Sequence, residues 1–363
     1  ASYMTLRGDL DTRWWGELLA DFDNLASGYV DGVAVAQSGR KLWRFVLLLC
    51  KMDEEVKANE LGLPSYNNAQ CCSDCLADNA ARPFTDLTIG AEWRPTENPP
   101  FDVWMARARA PHHPLVASHY NCCNYFFYIH LMHLMDCKGV AAIAFGSVLE
   151  LALRRWALGA NRGARLEWVN RYMRAWYSRH PGTHRLPALR ASNIRAKDGW
   201  AELHGPVVKA RARGRRQNFV RGFVRECSAP RSEVGSAVRR LIYAIADVYK
   251  PLYSSPLFVP AETTAQVRDL LLRMGEDWLR LREYGRRNGM LIFKATPKVH
   301  KAQHVYLYSQ ILNPRHVQAY SEESSMGTNA KVWRQSMRGK YGSSVQSMVL
   351  VKRAVATLLR FEL

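Results

Sequence analysis

Seven prolines fall between Gly62 and Pro114, at positions 64, 83, 95, 99, 100, 111 and 114, and no regular element can run unbroken through such a stretch. Proline lacks the backbone N–H that a helix interior or a central strand requires, and its ring fixes one backbone dihedral. Irregular chain of this length inside a folded protein is uncommon, so something other than ladders of backbone hydrogen bonds must organise it, and a metal is one candidate. Cys72-x2-Cys75 lies within it, at the spacing of a zinc knuckle, with Cys71 as a spare thiol. A second half is needed. His119-x2-Cys122, with Cys123 adjacent, offers one as a clasp across the stretch, and His133 is a further candidate ligand. The competing reading is buried free thiols.

Regular structure is expected on either side. Lys41 to Met52 is a dense apolar run that reads as a buried strand, and Asp53, Glu54 and Glu55 follow at once. Acidic residues at the carboxyl end of a buried strand stand where α/β enzymes carry catalytic groups, and they equally suit the cap of a following helix. Asn124 to His130 is aromatic and β-branched and reads as a second buried strand. Helical patterning begins at Leu131, and Gly139 to Leu153 reads as a buried helix because Ser147 and Glu150 interrupt it and Arg154 and Arg155 end it. Further helices are expected over Ser232 to Tyr249, Thr264 to Asn288, Lys298 to Leu312 and Ser343 to Phe361, with Thr296-Pro297 an explicit helix start.

The chain carries 51 Lys and Arg against 32 Asp and Glu, a formal net charge of +19, while 48% of its 363 residues are hydrophobic. A core is therefore available, and the surface repels itself unless a polyanion lies against it. Arginine predominates between Arg154 and Arg225, where Arg171, Arg174, Lys209, Arg211, Arg213, Arg215 and Arg216 alternate with aromatics such as Trp168, Tyr172 and Trp176. That mixture suits phosphate contact with base stacking, or aromatics facing the core and arginines facing water. No apolar run reaches the ~20 residues of a bilayer span, and Asp9, Asp11 and Arg13 leave no signal-peptide pattern near the start. Eight cysteines with adjacent pairs at 71–72 and 122–123 fit a reducing compartment rather than a disulfide scaffold.

Other clusters are weaker. His133 and Asp136 share a helix face, as do His300 and His304, and each set fits a ligand pair or satisfied structural histidines; Lys298 and Lys301 beside the latter are further candidates for nucleic-acid contact. Glu322 and Glu323 fit a helix cap or a late helical carboxylate in a metal-holding set.

His130-Leu131-Met132-His133-Leu134-Met135-Asp136-Cys137-Lys138-Gly139 resembles the D-L-M-H-x-M-D-x-x-G signature of transposon-derived proteins abundant in dinoflagellates. Phe84-Thr85-Asp86 with Trp93, Cys72-x2-Cys75, Asp198 to Gly205 (DGWAELHG), Thr296 to His304 (TPKVHKAQH) and Tyr320-x-Glu322-Glu323-Ser324 with Gly327 resemble further blocks of that family. The likeness runs from about Lys41 to the end. These proteins look distantly similar to cut-and-paste transposases of the CACTA and KDZ kind, which implies an RNase H-like core interrupted by a helical insertion, Mg2+ as catalytic cofactor and DNA as partner. The resemblance implies Asp53 or Asp86 as first carboxylate and Glu323 as last. The second catalytic aspartate of the family falls at position 130, where this chain has histidine. An imidazole cannot bridge two magnesium ions as a carboxylate does.

These readings converge on an α+β, predominantly helical fold with a small buried sheet. Residues 1–150 form the RNase H-like first half, with the cysteine-containing loop-rich segment at about 62–123; residues 151–290 form a basic helical insertion, and 291–363 return to the core. The expected function is a DNA-binding, transposase-like protein, either active in metal-dependent strand cleavage and transfer or catalytically decayed, in the nucleus or otherwise the cytoplasm. The alternatives are a non-catalytic nucleic-acid or chromatin-binding protein, with RNA as a second polyanion, and an interaction protein with an acidic protein partner. Structural Zn2+ is the second expected cofactor, and homo-oligomerisation is left open.

Overall fold

The computed structural model describes residues 12–317, apart from 28, 31–32, 35–36, 39–40, 43–49, 52–53, 60, 66–67, 110–111, 122, 137–138, 182–184, 195–197, 205–212 and 228–231. The chain divides into two compact units, Ala1–Val317 and Gln318–Leu363, and the second lies outside the described residues. The expected helix at Ser343 to Phe361 therefore lies outside them too.

The described unit is predominantly helical. It opens with α1 (Thr12–Ser27), the hairpins β1 (Tyr29–Val30) with β2 (Val33–Ala34) and β3 (Gln37–Ser38) with β4 (Lys41–Leu42), then β5 (Cys50–Lys51) and α2 (Glu54–Asn59). Among its described residues the proline-rich stretch that follows holds a 3-10 turn at Arg94–Thr96, isolated bridges joining Gln70, Asp78 and Pro83, and two short helices, α3 (Phe101–Met105) and α4 (Pro114–Ala117). Next come β6 (Phe127–Tyr128), a π-helical turn at Met132–Asp136, α5 (Val140–Arg155), α6 (Arg162–Arg179) and α7 (Arg213–Cys227). The remainder is α8 (Glu233–Asp247), α9 (Tyr249–Ser254), α10 (Ala261–Arg287), α11 (Pro297–Ala302) and α12 (Val305–Ser309).

Positions 43–49 of the expected first strand lie outside the described residues; among those described, the expected sheet is reduced to one parallel pair, Cys50 opposite Phe127 and Lys51 opposite Tyr128, in addition to the two hairpins. Strand alternation sends these neighbours to different cores. Phe127 stacks on Trp104 at 6.0 Å in a small apolar cluster with Leu63 and Leu115. Tyr128 enters the large core and donates its hydroxyl to the Tyr308 carbonyl at 2.9 Å.

That large core is built around α5, whose residues from Val140 to Leu153 are all buried. Gly139 is required at its start, because a Cβ there would lie 1.9 Å from the Leu134 carbonyl oxygen. Glu150, buried within the helix, accepts from Arg154 at 3.1 Å and from both Arg162 terminal nitrogens at 3.1 and 2.7 Å. α10 packs along α8, and α7 and α5 also pack on α8. The aromatics among the arginines belong to this core: Trp176 and Tyr177 are buried, and Trp168 and Tyr172 lean on Phe223 of α7.

The expected helix from Lys298 to Leu312 is two short helices with a break at Gln303 and His304. At the break the bonds tighten to three-residue spacing, with Gln303 N–H donating to the His300 carbonyl at 2.9 Å and His304 N–H to Lys301 at 3.1 Å. This break shapes the site below.

Candidate metal centre

At the knuckle the chain turns tightly enough for backbone to point at sulfur. Asp74 N–H donates to Cys72 Sγ and Ala77 N–H to Cys75 Sγ, each at 3.4 Å. The second half comes from far along the chain. Thr296 caps α11, its hydroxyl accepting from Val299 N–H at 3.4 Å, and Pro297 sits at the first helical position. One turn later His300 points at the knuckle, and the tightened break brings His304 beside it.

Cys72, Cys75, His300 and His304 are all buried, and one ligand atom from each lies within 4.8 Å of every other. Cys75 Sγ is 3.2 Å from His300 Nε2, and the two Nε2 atoms are 3.2 Å apart. Zinc–nitrogen bonds near 2.05 Å and zinc–sulfur bonds near 2.3 Å place tetrahedral ligand atoms about 3.3 to 3.8 Å apart, so the two 3.2 Å pairs would open by a few tenths of an ångström around a Cys2His2 ion. The buried cluster can hold a metal such as zinc.

Its electrostatics suit a cation. Burial opposes ionisation of Cys72, but a hydrogen bond from Cys75 and the charges of His304 and His300 hold its thiol well below the ordinary range. Burial, and then the neighbouring Cys72, push the Cys75 thiol up. Burial disfavours the His304 imidazolium, yet Cys72 and Glu97 outweigh it and push the group up to about 10. A second thiolate thus needs a stronger positive charge than a proton on histidine supplies, which a divalent ion provides.

A polar layer surrounds the ligands. Glu97 Oε1 lies 3.2 Å from His304 Nδ1, and its other oxygen accepts from the Tyr306 hydroxyl. Trp93 walls the site, its ring 4.3 Å from His300 and 5.2 Å from His304, while its Nε1 donates to the Asp86 carbonyl at 2.6 Å. Between the two cysteines, buried Asp74 accepts from Tyr308 at 2.8 Å and pairs with Lys301 at 3.2 Å; Lys301 also lies 3.3 Å from Glu54.

Several residues singled out in the sequence stand elsewhere. His119 is exposed, 3.4 Å from Asp23 and packed on Tyr120, so it does not complete the knuckle. Cys122 lies outside the described residues. His133 is half-buried with its ring 4.2 Å from buried His130, and it is not among the four clustered ligands. Asp136 is buried and accepts from Tyr249 at 2.6 Å. The Asp86 carboxylate closes its own turn, accepting from Thr88 N–H at 3.0 Å. Asp53 and Glu323 lie outside the described residues, and among the described residues no group of carboxylates converges.

Lys301, expected at a nucleic-acid surface, is instead buried, since Asp74 and Glu54 hold its ammonium inside. Lys298 is half-buried in the first turn of α11. Arg171 and Arg174 are exposed on α6, the latter 2.7 Å from Glu167. Arg213, Arg215 and Arg216 lie in α7, and Lys209 and Arg211 outside the described residues. Glu97 and Asp74 had no signal in the sequence beyond their nearness to other polar residues.

Comparison with family models, with curated proteins and with solved structures returns no match.

Proposed function

We propose that this chain is a DNA-binding protein of transposase ancestry whose catalysis has decayed and whose fold is closed by a structural zinc ion. The zinc would be held by Cys72, Cys75, His300 and His304. Four protein ligands complete a tetrahedron and leave no position for water or substrate, so the ion's role is structural rather than chemical. It joins segments 225 residues apart, counted between Cys75 and His300.

The surplus of positive charge carries the DNA reading. Several arginines between positions 154 and 225 are answered by carboxylates: Arg154 and Arg162 by Glu150, Arg174 by Glu167, Arg179 and Arg225 by Glu226. Pairing leaves the excess intact, because 32 carboxylates cannot answer 51 cations. Exposed residues such as Arg171 and Arg185 would meet phosphate, together with the α7 arginines.

The ancestral reading draws support from the parallel pairing of β5 with β6. Asp53 follows β5 by two residues and His130 follows β6 by two, so adjacent parallel strands run toward one of the two candidates for the first carboxylate, the other being Asp86, and toward the position where the family has its second. A histidine there removes the carboxylate that two Mg2+ ions would share.

Fluorescence anisotropy with labelled duplex DNA tests the binding reading. Affinity should fall about 10³-fold or more between 50 and 200 mM salt if six or more phosphates are neutralised. Absence of binding at low salt overturns it. Mg2+-dependent nicking of supercoiled plasmid would overturn the decay of catalysis.

No helix among the described residues is long and apolar enough to cross a membrane.

A further inference from the structure

Glu97 comes from the 3-10 turn after Trp93, and neither cysteine nor histidine spacing points to it. Its carboxylate is largely buried and three groups converge on it. His304 Nδ1 lies 3.2 Å from Oε1, the Tyr306 hydroxyl donates to Oε2, and Arg94 Nη1 stands 3.8 Å from Oε1. Arg94 is itself fixed, donating through Nε to the Thr88 carbonyl at 2.6 Å and lying over the Trp93 ring at 4.4 Å. The carboxylate is therefore held in place before any ion arrives.

The two nitrogens of the His304 ring are thus divided between two tasks. Nε2 faces His300 Nε2 at 3.2 Å, inside the ligand cluster, and Nδ1 faces Glu97. A histidine that donates Nδ1–H to a carboxylate keeps Nε2 unprotonated, aimed and more basic toward a metal. Resting on the zinc reading above, we propose that Glu97 is the outer-sphere carboxylate of the metal centre, a positioning residue that sets how tightly the ion is held.

Charge balance makes the same assignment. Two thiolates and two neutral imidazoles around a divalent ion sum to zero. The carboxylates nearest them each have a buried or largely buried cation: Glu97 has Arg94, Asp74 has Lys301, and Glu54 has Lys57. A site filled in this way pairs each of these carboxylates with a cation, which favours keeping charges inside a protein, and adds the half-buried Arg107 guanidinium on the Cys72 carbonyl. Neither Nδ1 makes an aligned hydrogen bond, but His304 Nδ1 has the Glu97 carboxylate at 3.2 Å, and no carboxylate among the described residues stands at ion-pair distance from His300. The two histidines are therefore unequal, and the outer sphere acts through His304.

Zn2+ affinity of the full chain, measured by competition with a chromophoric chelator, tests the assignment, with Co2+ substitution reporting the ligand set. Glu97→Gln keeps an acceptor and loses the charge, and should weaken Zn2+ binding about 10-fold; Glu97→Met loses both, and should weaken it about 100-fold. The Co2+ absorption of a tetrahedral sulfur–nitrogen site should persist in both variants. Should Glu97→Met not fold, the isosteric Gln variant decides the matter. A merely structural role would lower the unfolding midpoint of the metal-free protein and leave metal affinity unchanged, and that result overturns the proposal. Failure of the unaltered chain to take up Zn2+ or Co2+ overturns the zinc reading itself, a distinct result.

Discussion

The helical body around α5, α8 and α10 and the proline-rich stretch around Cys72 bury different things. In the body, α5 is enclosed by apolar side chains and α10 contributes Val267, Leu271, Met274, Trp278 and Leu281 to a continuous core. Around the knuckle the buried apolar cluster is only Cys72, Cys75, Ala77, Ala91 and Trp93, with Phe84 at its edge. That cluster is small beside the body's continuous core, and a second one around Leu63, Trp104 and Leu115 serves the rest of the stretch. Polar pairs and a candidate ion supplement apolar burial at the knuckle. One chain thus uses two means of folding, and each can be broken separately.

Removing the ion should have the largest effect. Structural zinc contributes about 10–16 kcal/mol of apparent binding free energy in zinc-finger peptides, and in a site of this kind that energy is folding energy. Chelation, or Cys75→Ser, should abolish hydrogen-exchange protection across residues 71–98 and 297–309 and leave far-ultraviolet helicity of the body nearly intact. Equal loss of protection in α5 and α10 would show that the two regions form one cooperative unit.

The converse break is Trp278→Ala. Trp278 is fully buried and donates Nε1–H to the Phe293 carbonyl at 2.8 Å. Its truncation should cost about 3–5 kcal/mol by denaturant titration, and Zn2+ affinity should stay within a factor of two or so of the unaltered chain, since Trp278 bonds to Phe293 and is not one of the four clustered ligands. A large fall in metal affinity would couple the body to the knuckle.

A smaller effect is expected at the seam. Asp74→Asn leaves Lys301 with Glu54 as its remaining carboxylate, at 3.3 Å, and takes a charge-assisted acceptor from Tyr308. Leaving buried polar groups partly satisfied costs about 1–3 kcal/mol. The loss should appear in thermal unfolding of both the metal-loaded and the metal-free protein, which separates it from a ligand effect.

Both halves of the metal centre were legible in the sequence, and their pairing was not. Cys72-x2-Cys75 carries a spacing with a physical reason, and His300 and His304 carry another, but spacing is local and the joining of the two is tertiary. His119 was the nearer partner along the chain, and loop closure favours near partners only weakly, so sequence distance was a poor guide. Lys301 misled for a related reason: beside two histidines and Lys298 it reads as a basic surface, and only the fold brings Asp74 and Glu54 against it. The helices were legible because their caps are local, as at Ser232, whose hydroxyl accepts from Gly235 N–H at 3.0 Å. The break at Gln303 and His304 was not, since no proline or glycine marks it.

The smallest effect on stability is expected at Arg171, and it bears most directly on the DNA reading. Arg171 is exposed on α6, so replacing it with alanine should change stability by less than about 0.5 kcal/mol. Neither the knuckle nor the helical core depends on it. If Arg171 meets a phosphate, the slope of log affinity against log salt should become shallower by about 0.9, the signature of one released counterion. Arg174, which Glu167 already holds at 2.7 Å, should shift that slope less, because its charge is partly answered before DNA arrives. Measured together by anisotropy at several salt concentrations, the two variants separate a guanidinium available to phosphate from one engaged within the fold. An unchanged slope for Arg171→Ala would remove Arg171 from the interface and leave the arginines in the α7 sequence as the next candidates to test.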